Sequence, residues 1–207
     1  MVKKTKNEAK ILKHLAVDPH LAEIIQEVGA YEIKIRKDAF RSLVEAIIYQ
    51  QLAGSAAAVI YNRFVKIHGR FPEANQLLAT PDSALRTAGL SSRKIEYLKD
   101  LSSKVADGQL KLSLLREMGD EQVIEHLLQG KGIGRWTAER FLIFCLGRED
   151  VLPVGDLGLR KAMQKTYGLR QLPSPEVMHN IAQLWRPYRS IGTWYMWKSL
   201  DKFKSIG

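Results

Sequence analysis

The stretch Leu127-Leu128-Gln129-Gly130-Lys131-Gly132-Ile133-Gly134-Arg135-Trp136-Thr137-Ala138 decides how this chain folds. It reads as two helices joined by a tight glycine hairpin. Residues 121–129, capped by Asp120, form the first arm; residues 134–146, ended by Gly147, form the second. Gly132 and Gly134 suit a backbone that must curve sharply and approach a partner with no Cβ in the way. The N–H groups that open the second arm make a ready site for an anion such as phosphate. Beyond the hairpin, 22 residues after Gly134, Leu152-Pro153-Val154-Gly155-Asp156-Leu157 sets a carboxylate at the start of another helix.

Working outward, nearly every segment has helical spacing. Residues 42–51 and 55–68 carry apolar side chains at that period, the second stretch ending at Gly69. Thr80-Pro81-Asp82 supplies an N-cap, a proline at the first helical position and an early acid, and Gly89 closes that short helix. Ser92 caps 93–106, which stops at Asp107-Gly108. Residues 156–167 end at Gly168, Ser174-Pro175-Glu176 opens the next helix, and 189–201 is the last long one. Only residues 31–36 alternate like a strand; with no partner strand they are read as an extended connection. The expected architecture is all-α, one unit of two helical lobes with a groove between them. Residues 1–38 and 155–207 would form the terminal lobe and 39–154 the central lobe, with the hairpin at 120–146.

Composition narrows the function. The 207 residues carry a net charge of +10, unevenly spread. Residues 130–207 hold 13 Lys and Arg against 6 Asp and Glu, whereas 1–129 hold 19 against 16. A basic surface alone serves solubility as readily as binding, but with the hairpin it favours DNA as the partner. No apolar run approaches the roughly 20 residues that span a bilayer, so no membrane partner is expected. The charged start, residues 1–8, lacks the apolar core of a secretory signal and is read as a solvated terminus. The expected location is intracellular: cytoplasm or nucleoid in a prokaryote, nucleus in a eukaryote. Cys145 lies in an apolar helix and reads as core. The five histidines are dispersed, without metal-ligand spacing, so no catalytic metal and no cofactor are expected. A monomer without an obligate protein partner fits such a chain.

Three blocks, in this order and spacing, carry a family resemblance. They are Ala46-Ile47-Ile48-Tyr49-Gln50-Gln51-Leu52, the hairpin with Asp156, and Trp185-Arg186-Pro187-Tyr188-Arg189-Ser190 leading to Trp197. Over residues 40–201 the chain resembles the helix-hairpin-helix (HhH-GPD) DNA glycosylases, in particular their alkylpurine branch, 3-methyladenine DNA glycosylase II. The resemblance is expected not to extend to the N-terminal β-rich domain or the four-cysteine iron–sulfur ending that some relatives carry. The resemblance implies that backbone amides around residues 133–136 grip one strand of damaged duplex DNA. Lys131, Gly132, Ile133, Gly134, Arg135, Thr137 and Ser55 would contact that strand, with a monovalent cation held by hairpin carbonyls. Asp156 would carry the chemistry. A carboxylate, ordinarily ionised at neutral pH, stabilises the positive charge that develops on deoxyribose as the base leaves, and it can orient or deprotonate the attacking water.

The resemblance also assigns the residues around the base. Gln51 would fill the hole that an extruded base leaves, and Gln50, Trp136, Leu157 and Trp197 would line the base pocket. Trp185 and Trp194 are read as core or groove packing. In strand-cleaving relatives the position of Trp136 holds a lysine that attacks the sugar. An indole forms no Schiff base, so a monofunctional enzyme leaving an intact abasic site is expected. Arg140 and Leu157 stand where some relatives have aromatic side chains. They keep open a glycosylase for another lesion, deaminated or mispaired, and beside it a non-catalytic module that binds damaged DNA.

Overall fold

The computed structural model describes residues 6–52 and 54–203; the expectation for the first five residues lies outside them. Twelve α-helices are present among the described residues, with no strand: α1 Lys6–Leu15, α2 Pro19–Val28, α3 Ala39–Tyr49, α4 Gly54–His68, α5 Ala74–Ala79, α6 Asp82–Thr87, α7 Ser92–Ala106, α8 Asp120–Leu128, α9 Arg135–Phe141, α10 Leu157–Thr166, α11 Pro175–Ile181 and α12 Arg189–Phe203. Residues 31–36 belong to no helix or strand and connect α2 to α3. None of these helices is long and apolar enough to cross a membrane.

The chain divides into two compact units, residues 1–35 with 147–207, and residues 36–146. The divisions fall three and eight residues before the boundaries the sequence suggests. Local bonding explains both shifts. Arg36 donates its N–H to the Phe144 carbonyl (2.8 Å) and its guanidinium to Glu45, while Asp38 caps α3 by accepting from the Arg41 N–H (2.9 Å). Residues 147–154 are pinned instead to the start of α12. Asp150 accepts from Arg189 Nε (2.6 Å) and from Arg186 (2.9 Å), and Ser190 Oγ accepts from the Val151 N–H (3.0 Å).

The first unit is built from both ends of the chain. Ile11, Leu15, Leu21 and Ile24 of α1 and α2 pack with Leu159 and Met163 of α10, Met178 of α11, and Tyr195 and Met196 of α12. Each fully buried aliphatic side chain of this kind contributes about 2 kcal/mol by transfer from water. Asp18 lies inside that core at 2% exposure. Its Oδ1 caps α2 by accepting from the N–H groups of His20 (3.0 Å) and Leu21 (3.3 Å). Its Oδ2 accepts from the Tyr167 hydroxyl and from Trp185 Nε1 (2.8 Å). Burial and the Asp18 carboxylate together push the Tyr167 phenol well above its ordinary range. Trp185 is fully buried and Trp194 nearly so, in keeping with their reading as packing residues. The close approach of Trp185 to α12 requires Gly192, where a Cβ would come 2.7 Å from the indole.

In the second unit, α3 and α7 supply Leu43, Val44, Ile47, Ile48, Ile95, Leu98 and Leu101 to a core shared with Phe64 of α4, Leu127 of α8 and Phe141 of α9. Three helix N-caps fall one residue away from the sequence reading. Ser91, not Ser92, caps α7, accepting from the Lys94 N–H (3.3 Å). Gly119 precedes α8 and bonds Gln122 Oε1 (2.9 Å), so Asp120 is the first helical residue rather than the cap. Thr80 is no N-cap: its hydroxyl donates back to the Gln76 carbonyl (2.7 Å) and closes α5, leaving Pro81 to open α6. The second hairpin arm also departs from a plain α-helix. After Phe141 it widens into a π-helical turn, Leu142–Leu146, which carries buried Cys145.

Candidate nucleic-acid interface and catalytic carboxylate

In the hairpin unit, α8 ends at Leu128 and α9 begins at Arg135, with Gly134 as N-cap. Glycine offers no side chain to the first-turn N–H groups of α9, and a Cβ at Gly134 would meet nothing within 4 Å. Gly132 differs. Its φ is +76°, and a Cβ there would overlap the Tyr97 ring, so both backbone hand and packing demand glycine. The turn is further tied to α7: the Lys131 N–H donates to Asp100 Oδ2 (2.8 Å) and Lys131 Nζ to Glu96 (2.8 Å). Burial alone would raise the Asp100 carboxyl, but bonds from Lys104 and the Lys131 amide hold it below its ordinary range.

Arg135 is paired with Glu121 through two bonds (2.5 and 3.1 Å) and with Glu139 (3.2 Å), and the Glu121 contact raises its guanidinium pKa. Ile133 and Thr137 are each 5% exposed. For these two the expectation of DNA contact concerns the backbone amides, as the resemblance implies. Both are enclosed by packing, and only their backbone is left for that role. Ser55 lies exposed in the first turn of α4.

The segment between α3 and α4 is clamped to the hairpin. Gln50 Nε2 donates to the Gly132 carbonyl (2.8 Å), which gives the Gln50 side chain a bracing contact beside its expected place at the base. Lys94 Nζ donates to the carbonyls of Ile48 (2.6 Å) and Gln50 (2.8 Å), closing the end of α3, and burial lowers its pKa. Between these anchors Gln51 is exposed and holds φ +57°, the left-handed region that a non-glycine residue enters only at a cost. Trp136 is 38% exposed on α9, with the Arg140 guanidinium 5.0 Å from its ring centroid. Sequence reasoning missed Lys94, Tyr97 and Asp100, whose contacts with the α3 end and the hairpin join positions far apart along the chain.

In the terminal unit, the loop pinned by Asp150 and Ser190 delivers Asp156 to the start of α10. Asp156 is 8% exposed. Its Oδ1 accepts from the Leu159 N–H (2.5 Å), the N-cap bond the sequence predicts, and from Trp197 Nε1 on α12 (2.9 Å). Gly158 leaves room for this arrangement, since a Cβ there would sit 3.0 Å from Oδ1. The carboxylate is thus held from two helices, in a fixed rotamer and beside the positive end of α10. Trp197, expected in the base pocket, has the further task of orienting Asp156. Leu157 is 52% exposed beside it. Among the described residues no cluster of His, Cys, Asp and Glu suits a metal ion.

Comparison with known proteins bears on both units. A family model described as "HhH-GPD superfamily base excision DNA repair protein" matches residues 44–187. The chain is 33% identical over 193 residues to DNA-3-methyladenine glycosylase 1 of Schizosaccharomyces pombe, covering 90% of this chain and 85% of that one. The solved S. pombe 3-methyladenine DNA glycosylase in complex with abasic DNA has a TM-score of 0.84 at 32% identity, covering 93% of this chain and 97% of that one. The DNA-3-methyladenine glycosidase of Bacillus halodurans gives a TM-score of 0.83 at 37% identity, covering 96% and 91%. With these matches over most of its length, the chain belongs to the HhH-GPD superfamily of base excision DNA repair proteins.

Proposed function

We propose that this protein is a monofunctional DNA glycosylase of the 3-methyladenine DNA glycosylase II type. It acts as a monomer inside the cell and hydrolyses the N-glycosidic bond of alkylated purines in duplex DNA, leaving an abasic site. The observation that carries this reading is the geometry of Asp156, a nearly buried carboxylate fixed by the α10 N-terminus and the Trp197 indole. As the C1′–N9 bond lengthens, its electron pair moves onto the base and cationic character grows on the sugar. A fixed anion stabilises that charge more than it stabilises the neutral ground-state sugar. Water then forms the new C1′–O bond, and its proton passes to Asp156 or to solvent.

The hairpin grips the DNA backbone through the first-turn amides of α9, with Arg135, Lys131 and Ser55 adding contacts. Gln51 enters the space left by the extruded base, and Trp136 stacks on that base. The Gly130 carbonyl accepts from the Ile133 N–H (3.1 Å) and the Gly132 carbonyl from Gln50 Nε2 (2.8 Å), and a carbonyl oxygen has two lone pairs. Such an uncharged donor set fits a monovalent cation, which would add positive charge next to a bound phosphate.

Duplex DNA treated with a methylating agent tests the proposal. The wild-type protein is expected to release free methylated purines. Strand breaks are expected only after alkali, and borohydride should trap no covalent complex, because Trp136 replaces the lysine that a lyase needs. Release of no base would reject the glycosylase reading; breaks without alkali would reject the monofunctional one.

The Arg135–Glu121 pair supplies a second expectation. Both side chains are more than half exposed, so the pair itself is worth at most about 1 kcal/mol. Removing the acid leaves Nη1 and Nη2 of the guanidinium open to phosphate while Nε keeps its bond to Glu139 (3.2 Å). Glu121→Gln should therefore tighten duplex binding about fivefold at low salt, read by fluorescence anisotropy across a salt series.

A further inference from the structure

The Trp136 ring already holds a cation. Arg140, one turn further along α9 and exposed, sets its guanidinium 5.0 Å from the Trp136 ring centroid and 5.5 Å from the half-buried Phe144 ring. Both distances lie within the range of cation–π attraction, and an arginine stays charged at any pH a DNA enzyme meets. The indole is 38% exposed, which leaves part of its surface for a flat ligand.

Two classes of damaged purine offer that surface nearly the same area and differ in charge. A purine methylated at N3 or N7 in DNA is cationic, whereas hypoxanthine is neutral. On a bare indole the cationic base would gain a cation–π attraction that the neutral base lacks. On this indole the gain is spent, because the ring's negative face already serves Arg140, and a second cation placed nearby is repelled by the guanidinium. A neutral base stacks without that penalty.

We infer that Arg140 is a specificity-determining residue that biases the base site away from cationic and toward neutral purine lesions. The inference rests on the reading of Trp136 as the surface on which the extruded base stacks. It goes beyond that reading by assigning the discrimination to charge already seated on the ring.

Single-turnover excision of 7-methylguanine and of hypoxanthine, each placed singly in the same duplex, tests it. The cationic-to-neutral rate ratio should rise about tenfold in Arg140→Gln and stay near the wild-type value in Arg140→Lys, which keeps the charge. Because both rates come from one preparation, loss of folded protein cancels in the ratio. A ratio unchanged or lowered in Arg140→Gln, or equal loss of both activities, overturns the inference while leaving the glycosylase reading intact. Release of neither base by wild type overturns both.

Discussion

Asp156→Asn is expected to slow single-turnover release of a methylated purine by about 10²–10³-fold, the loss usual when a preorganised electrostatic group is removed from a transition state. Asparagine serves as an N-cap about as well as aspartate. Its Oδ1 can still accept from the Leu159 N–H and from Trp197 Nε1. The melting temperature should therefore change little, and affinity for lesion-bearing duplex should be retained, so the loss falls on chemistry alone. Trp197→Phe keeps most of the aromatic area but removes the N–H donor to Oδ1. It should cost about tenfold in rate through misorientation of the carboxylate. Equal rates for wild type and Asp156→Asn would place the chemistry elsewhere.

The second large effect concerns stability and centres on Asp18→Asn. The carboxylate accepts two backbone N–H groups on Oδ1 and two buried side-chain donors, from Tyr167 and Trp185, on Oδ2. Asparagine can preserve the cap only by turning its NH₂ toward those two donors. The tyrosine hydroxyl can reverse and accept; the indole N–H cannot. Losing charge-assisted bonds and leaving a buried donor unmet costs about 3–4 kcal/mol. For a chain of this size that lowers the melting temperature by roughly 10 °C. Asp18→Ala adds about 1 kcal/mol for the lost cap. Tyr167→Phe, which removes one donor and leaves the indole bond in place, should cost no more than about 1.5 kcal/mol. Thermal denaturation followed by near-ultraviolet circular dichroism distinguishes the three variants. A shift in Asp18→Asn no larger than in Tyr167→Phe would show that the indole bond adds nothing.

Much of the architecture was legible because helices here end where glycine allows them to. Gly69, Gly89, Gly147 and Gly168 all adopt positive φ, and each stands where the apolar period breaks. Asp156 and Ser174 were readable as caps for the same local reason: a short polar side chain before a helical run. The one-residue slips at Ser91, Gly119 and Pro81 arise where neighbouring residues compete for a cap, and only side-chain geometry decides between them. The π-turn at Leu142–Leu146 escaped because its apolar residues fit the ordinary helical period.

Asp18 was the most readable omission, since an aspartate before a proline is an N-cap signature. Its bonds to Tyr167 and Trp185, in contrast, join positions 149 and 167 residues apart. The braces of the candidate site were hidden in the same way. Lys94 reaches Ile48 and Gln50 reaches Gly132 across 46 and 82 residues, and Asp156 meets Trp197 across 41. The candidate carboxylate was legible as a helix cap; the contacts that hold it still were not.

The interleaving of the two units sets an order of assembly during synthesis. Residues 36–146 form one unit by themselves, whereas the other needs both residues 1–35 and residues 147–207. As the chain leaves the ribosome, the hairpin unit has all its parts while α1 and α2 still wait for α10 and α12 to exist. Asp156 gains its second brace only when Trp197 emerges. The growing chain thus holds every part of the hairpin unit before Asp156 can meet Trp197, so under the proposed mechanism the carboxylate is organised only after the hairpin has been made.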